Sequence, residues 1–123
     1  MSAETYGYPG DVWGRAKEEA VRALVRRRSL VFYAELTRQI SSIAFGPHDY
    51  AFHHLLYEIS KEEDAAGRGL ISALVVRQAD GIPGQGFFDL AKERGRDVSD
   101  RLRCWDDEIK LVLDRCEKHP LAA

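Results

Sequence analysis

The sequence predicts an α+β fold, mainly α, with a short β-hairpin and a long C-terminal helix. Three observations predict it. Apolar residues recur at spacings of three and four over most of the chain, brief β-favouring runs interrupt that period, and Gly- and Pro-rich clusters separate the segments. The chain has 123 residues, 45% hydrophobic and 31% charged, with a net charge of -2. That composition suits one buried core and excludes disordered and fibrous classes.

Residues 1–10 hold Gly7, Pro9 and Gly10 among Tyr6 and Tyr8, lack any period, and read as a flexible arm. From Asp11, read as an N-cap, the residues Trp13, Ala16, Ala20, Val21, Leu24 and Val25 share one helical face as far as Arg28 or Ser29. Leu30 to Tyr33 is too short for a buried helix and reads as a brief strand. Helical spacing returns from Ala34 to Ala44 through Leu36, Ile40 and Ile43 and stops at Gly46-Pro47. A third helix starts at Pro47 and Asp49, buries Phe52, Leu55, Leu56 and Ile59, and ends at Gly67 and Gly69. Leu70 to Val76 reads as a strand, the breakers from Asp80 to Gly86 as a turn, and Phe87-Phe88 as the returning strand. Leu90 and Ala91 then enter a short helix ended by Gly95.

The last element carries Val98, Leu102, Trp105, Ile109, Val112 and Cys116 at alternating spacings of four and three, a heptad seam capped by Asp97 and followed by Pro120. Such a seam requires an apolar partner, either the first helix of the same chain or the same helix of a second copy. The expected organisation is an arm (1–10), a core domain (11–95) and a C-terminal helix (96–119) packed on that domain or on a dimer partner.

The order helix, strand, helix, helix, strand, turn, strand over residues 12–90, with Tyr33-Ala34-Glu35-Leu36 entering the second helix, resembles a winged helix-turn-helix domain. The resemblance implies a non-enzymatic nucleic-acid-binding module, regulatory in role, whose third helix lies in the major groove of double-stranded DNA. A narrower stretch is similar to small bacterial proteins of uncharacterised function. It comprises Leu55 to Ser60, Gly67-Arg68, the strand Leu70-Ile71-Ser72-Ala73-Leu74-Val75-Val76, and Gly81-Ile82-Pro83-Gly84-Gln85-Gly86-Phe87-Phe88. That similarity implies a bacterial origin and no particular activity.

Charge is unevenly placed. Residues 1–39 hold seven basic and five acidic residues, residues 40–64 hold Lys61 against five acidic residues, and the remainder balances. Arg26, Arg27, Arg28 and Arg38 are candidates for phosphate, since guanidinium groups fork onto phosphate oxygens. His53, His54 and Tyr57 lie nearer the bases on the third helix, and Arg77, Gln78 and Gln85 are the wing contacts. Against this stand the acidic third helix, which a duplex repels, and a pI of about 6.1. The alternative reading is a protein–protein interaction module of a bacterial complex, using the acidic helix and the heptad seam, with self-association as a homodimer.

Catalytic and cofactor signals are thin. His54 and Glu58 sit at i and i+4, short of the HExxH pattern, with only His48 or His119 to add, so no metal site is assigned. Gly81, Gly84 and Gly86 lack the lysine of a P-loop and the spacing of a dinucleotide fingerprint, so no cofactor is expected. A metal-dependent nuclease would need Glu58, Asp64 and Asp80 to converge in space. Cys104 and Cys116 lie about 18 Å apart along one helix, too far for a disulfide, and read as reduced thiols. With no apolar signal core in the first 30 residues and no membrane-spanning run, the sequence predicts a cytoplasmic protein.

Overall fold

The computed structural model describes residues 5–118; the first four residues of the expected arm, together with His119 and Pro120, lie outside the described residues. Among the described residues five α-helices accompany a two-stranded sheet: α1 (Gly10–Arg27), β1 (Val31–Phe32), α2 (Tyr33–Arg38), α3 (Tyr50–Ala65), β2 (Val75–Val76), α4 (Gln85–Glu93) and α5 (Arg101–Lys118). The class is the one the sequence predicts, α+β and mainly α. No helix among the described residues is long and apolar enough to cross a membrane.

α1 buries Trp13, Ala16, Ala20, Leu24 and Val25 against the rest of the core. It ends one residue past its last arginine pair, where Arg28 takes the left-handed conformation (φ 51°) and donates its N–H to Leu24 O. α3 is the central helix, with Phe52, Leu55, Leu56 and Ile59 buried as the period predicts. Burying these side chains contributes about 2 kcal/mol each before entropy is counted.

The expected hairpin is not formed among the described residues. β1 and β2 pair in parallel, Val31 with Val75 and Phe32 with Val76, and α2 and α3 supply the crossover that parallel pairing requires. Ile71–Leu74 wind into a single 3₁₀ turn instead of a strand. The local backbone donors find side chains as partners: Leu70 N–H reaches Glu108 and Ser72 N–H reaches Ser60 Oγ. Phe87 and Phe88 belong to α4, not to a strand. Both are buried side by side, which a helical face permits and a one-sided strand does not.

α2 stops at Arg38, well short of Ala44, because α1 competes for its backbone. The Glu19 carboxylate accepts the N–H groups of Ser41 and Ser42, the second at 2.9 Å, and also takes the Ser41 hydroxyl. Ile40, Ile43 and Phe45 remain buried in the irregular link that follows.

α5 begins after Asp100, whose carboxylate accepts the Arg103 N–H, while Asp97 caps only the Ser99 turn. The helix packs within the chain, and its buried stripe keeps only the C-terminal end of the heptad seam: Cys104 and Glu108 are buried together with the seam residues Val112 and Cys116. Trp105 and Ile109 are half-buried, Val98 precedes the helix, and Leu102 is 61% exposed. Burial of a charged residue turns the helix away from the hydropathy pattern. Both cysteines are buried free thiols.

Candidate functional site

A cleft of about 530 Å³ opens where β1 runs into α2, bounded by the N-terminal half of α3, the loop after β2 and the start of α4. Parallel register creates it. Pairing Val31 with Val75 sets Tyr33, one residue past β1, beside the loop that begins at Arg77. Tyr33 and His53 present their rings 5.2 Å apart, and Tyr57 lines the same hollow with Lys61 stacked 5.1 Å from its ring centre. Phe32, Leu56, Phe87 and Leu90 complete the apolar lining.

The loop over the cleft is held by its own hydrogen bonds. Arg77 N–H donates to Ile82 O and Gly81 N–H to Arg77 O, both at 2.8 Å, and the Arg77 guanidinium pairs with Asp80. That hydrogen bond to Arg77 holds the Asp80 carboxyl below its ordinary range. Gly84 N–H donates to the Tyr33 hydroxyl at 3.1 Å, and a Cβ on Gly84 would stand 3.3 Å from that oxygen, a tight contact that would make the hydroxyl shift slightly. Burial raises the Tyr33 phenol above its ordinary value, more than the Gly84 N–H and Arg77 lower it.

Of the residues read from the sequence, His53, Tyr57, Arg77, Gln78 and Gln85 meet on this cleft. His53 Nε2 donates to Pro47 O at 2.9 Å, and Gln85 is tied between Arg101 and Asp89. His54 points elsewhere: it bonds Glu58 and lies among the rings of Tyr6, Trp13 and Tyr57. Arg26 and Arg27 line a second, shallower cleft of about 420 Å³ with Arg22 and Gln39, at the C-terminal end of α1. Arg27 pairs with Glu35 at 3.3 Å, while Arg28 and Arg38 are exposed. Cations at that end also complement the helix dipole. Tyr33, Ser72 and Gly84 were not legible as site residues. Tyr33 reads as part of an apolar strand and Ser72 as a packing residue, and only the Pro83-Gly84 turn signal hinted at a close approach.

Glu58, Asp64 and Asp80 do not converge. Glu58 accepts from Trp13 and Lys17 at 2.9 and 3.3 Å, Asp64 holds Arg94 and Arg96, and Asp80 holds Arg77. No cluster able to hold a metal ion occurs among the described residues. The pairing also alters the charge picture of α3, since Lys17 meets Glu58 and Glu62, and Arg68 meets Glu63. For Glu58 burial opposes ionisation, yet the Trp13 indole and Lys17 outweigh it and hold the carboxyl below its ordinary value.

No protein-family model, curated protein or solved structure matches this chain.

Proposed function

We propose that the chain is a small non-enzymatic nucleic-acid-binding module that takes an unpaired base into the cleft between α2, α3 and α4. The cleft itself carries this reading. Tyr33, His53 and Tyr57 line an apolar hollow, and Arg77 and Gln78 stand exposed at its edge. A base is a flat ring with a polar rim; stacking on aromatic side chains is worth about 1–3 kcal/mol per base, and amide and guanidinium groups reach its edges. Arg22, Arg26 and Arg27, with Arg28 and Arg38, offer cationic surface for the phosphates.

Groove reading of a duplex has less support. A helix-turn-helix joins its helices by a turn of about three or four residues, whereas residues 39–49 separate α2 from α3. The first turns of α3 carry no arginine or lysine. The acidic character of α3 is a weaker objection, because its carboxylates from Glu58 to Asp64 are each engaged by a cation.

Fluorescence anisotropy of labelled single strands and a matched duplex, starting near about 50 mM salt, tests the reading. Single strands are expected to bind at micromolar protein, with affinity falling as salt rises. Tyr57→Ala should cost about tenfold without loss of fold. Absence of binding to every single strand overturns the proposal, and tighter binding to the duplex returns the reading to the groove. A second reading, a protein-interaction module or homodimer, draws on the outward-facing Leu102 of α5.

A further inference from the structure

We infer that the cleft at the C-terminal end of α1 is a phosphate site, in which Arg22, Arg26 and Arg27 hold one phosphate group. The nucleic-acid reading above supplies the source of that phosphate, and the inference rests on it to that extent.

Unspent guanidinium groups carry it. Arg22 is half-buried, and neither it nor Arg26 has a carboxylate partner among the described residues. Arg68, Arg94 and Arg96, also half-buried, each hold a carboxylate at 2.7 to 2.9 Å. Arg22 and Arg26 stand one turn apart on α1, and both line the cleft of about 420 Å³ with Arg27 and Gln39. Buried Leu24, Val31 and Leu36 supply its apolar lining. A cation held against such a wall gives up water with no anion to replace it, and a bound anion offsets that cost. The helix dipole accounts for cations in the last turn of α1, Arg26 and Arg27, but not for Arg22 before it.

The two acids nearby are already committed. Glu19 lines the cleft, and its oxygens accept the Ser41 and Ser42 N–H groups and the Ser41 hydroxyl. Glu35 meets Arg27 through one contact of 3.3 Å, while its other oxygen takes the Phe32 N–H at 3.0 Å. Three guanidiniums against two carboxylates leave the balance positive. Guanidinium forks fit phosphate oxygens two at a time. Position points to a strand as the source. Val31 and Leu36 line the arginine cleft, whereas Phe32, Tyr33 and Ala34 line the aromatic one, so β1 and α2 form a wall common to both. Phosphates flank every base of a strand, and a strand seated in one cleft has phosphates to offer the other.

The test applies inorganic pyrophosphate, and oligothymidine of about ten nucleotides, to wild type, to the double variant Arg22→Gln/Arg26→Gln, and to Arg103→Gln. The last removes an exposed charge on α5 as a control. Calorimetry at fixed ionic strength is expected to show pyrophosphate bound by wild type and Arg103→Gln and weakened about tenfold or more in the double variant. For oligothymidine, the slope of log affinity against log salt should fall by about 0.7 for each arginine that contacted a phosphate. Loss of fold would not move that slope in the double variant alone, and melting checks it directly. If the double variant does not fold, the two single variants decide. A changed slope alone assigns the site to the polymer, and a changed pyrophosphate affinity alone assigns it to a free phosphate compound. Oligothymidine binding with neither quantity changed overturns the inference and leaves the nucleic-acid reading standing. Pyrophosphate binding lost in the double variant, with no oligothymidine binding by wild type, keeps the site and overturns the nucleic-acid reading. Wild type that binds neither overturns both, and oligoglutamate bound as tightly as pyrophosphate overturns the phosphate class.

Discussion

The Glu108 carboxylate, on the buried face of α5, accepts the Leu70 backbone N–H at 2.8 Å while Arg96 forks onto both of its oxygens. Arg96 also reaches Asp64 at the end of α3 at 2.7 Å, so one guanidinium joins α3, the entry to the 3₁₀ turn and α5. The carboxylate's neighbour Gly69 adopts φ 85°, and a Cβ there would stand 3.2 Å from Glu108 Oε2. Removing one partner of such a network leaves the others buried and uncompensated, which costs more than the pair contributes. Glu108→Ala should therefore destabilise the fold by about 3 kcal/mol. Urea denaturation measures it, and a loss below about 1 kcal/mol would place this cluster with ordinary surface pairs.

Glu19 makes stability depend on acid. Hydrogen bonding to the Ser41 hydroxyl, with the Ser42 hydroxyl and both backbone N–H groups, outweighs burial and brings its carboxyl from the usual range down to about 2. A carboxyl whose folded value is depressed stabilises the fold above its unfolded value, near 4.5, and that contribution is lost as pH falls through the folded value. Melting temperature should drop between those limits in wild type. In Glu19→Gln the drop should be smaller, and the starting stability at neutral pH lower. Parallel pH profiles of the two proteins would show that the Ser41–Ser42 turn is held by something else.

Helical period made α1 and α3 legible, because Trp13, Ala16, Ala20 and Leu24, and Phe52, Leu55, Leu56 and Ile59, are apolar on one face and bury there. Where polar side chains bind the backbone of distant segments, hydropathy misleads. Glu19 ends α2 early, Ser60 and Glu108 satisfy a stretch that otherwise looks like a strand, and Glu108 sets the rotation of α5. The cleft was half legible for a similar reason. His53, Tyr57, Arg77, Gln78 and Gln85 are polar or aromatic residues at a helix start and a turn. That they converge with Tyr33 and Ser72 depends on the parallel pairing of Val31 with Val75, which no local pattern encodes.

Gly84→Ala separates the site from the scaffold. Its backbone, φ -68° and ψ 170°, suits alanine, so little intrinsic strain is expected. The added methyl meets the Tyr33 oxygen at 3.3 Å and must displace the hydroxyl by a few tenths of an ångström. Stability should change by less than about 1 kcal/mol, while affinity for oligothymidine falls severalfold. Unchanged affinity in a well-folded Gly84→Ala protein would mean that the position of the Tyr33 hydroxyl does not matter for binding.

Self-association through α5 is best tested at Leu102 rather than at Trp105. Trp105 is half-buried against the cluster formed by Leu70, Ala73, Phe88, Leu90 and Cys104 and donates its indole N–H to Ala73 O at 2.8 Å, so replacing it disturbs the fold first. Leu102 lies on the same heptad stripe as half-buried Ile109 and is 61% exposed. An exposed leucine beside partly covered apolar residues is the kind of surface a second copy covers, and a lysine there would have to be desolvated on pairing. Light scattering is expected to give twice the chain mass for wild type and the single chain mass for Leu102→Lys, with identical far-ultraviolet dichroism. A wild-type protein that stays at the single chain mass up to roughly 100 μM, where pairs held by about 5.5 kcal/mol or more would be populated, retires the dimer reading.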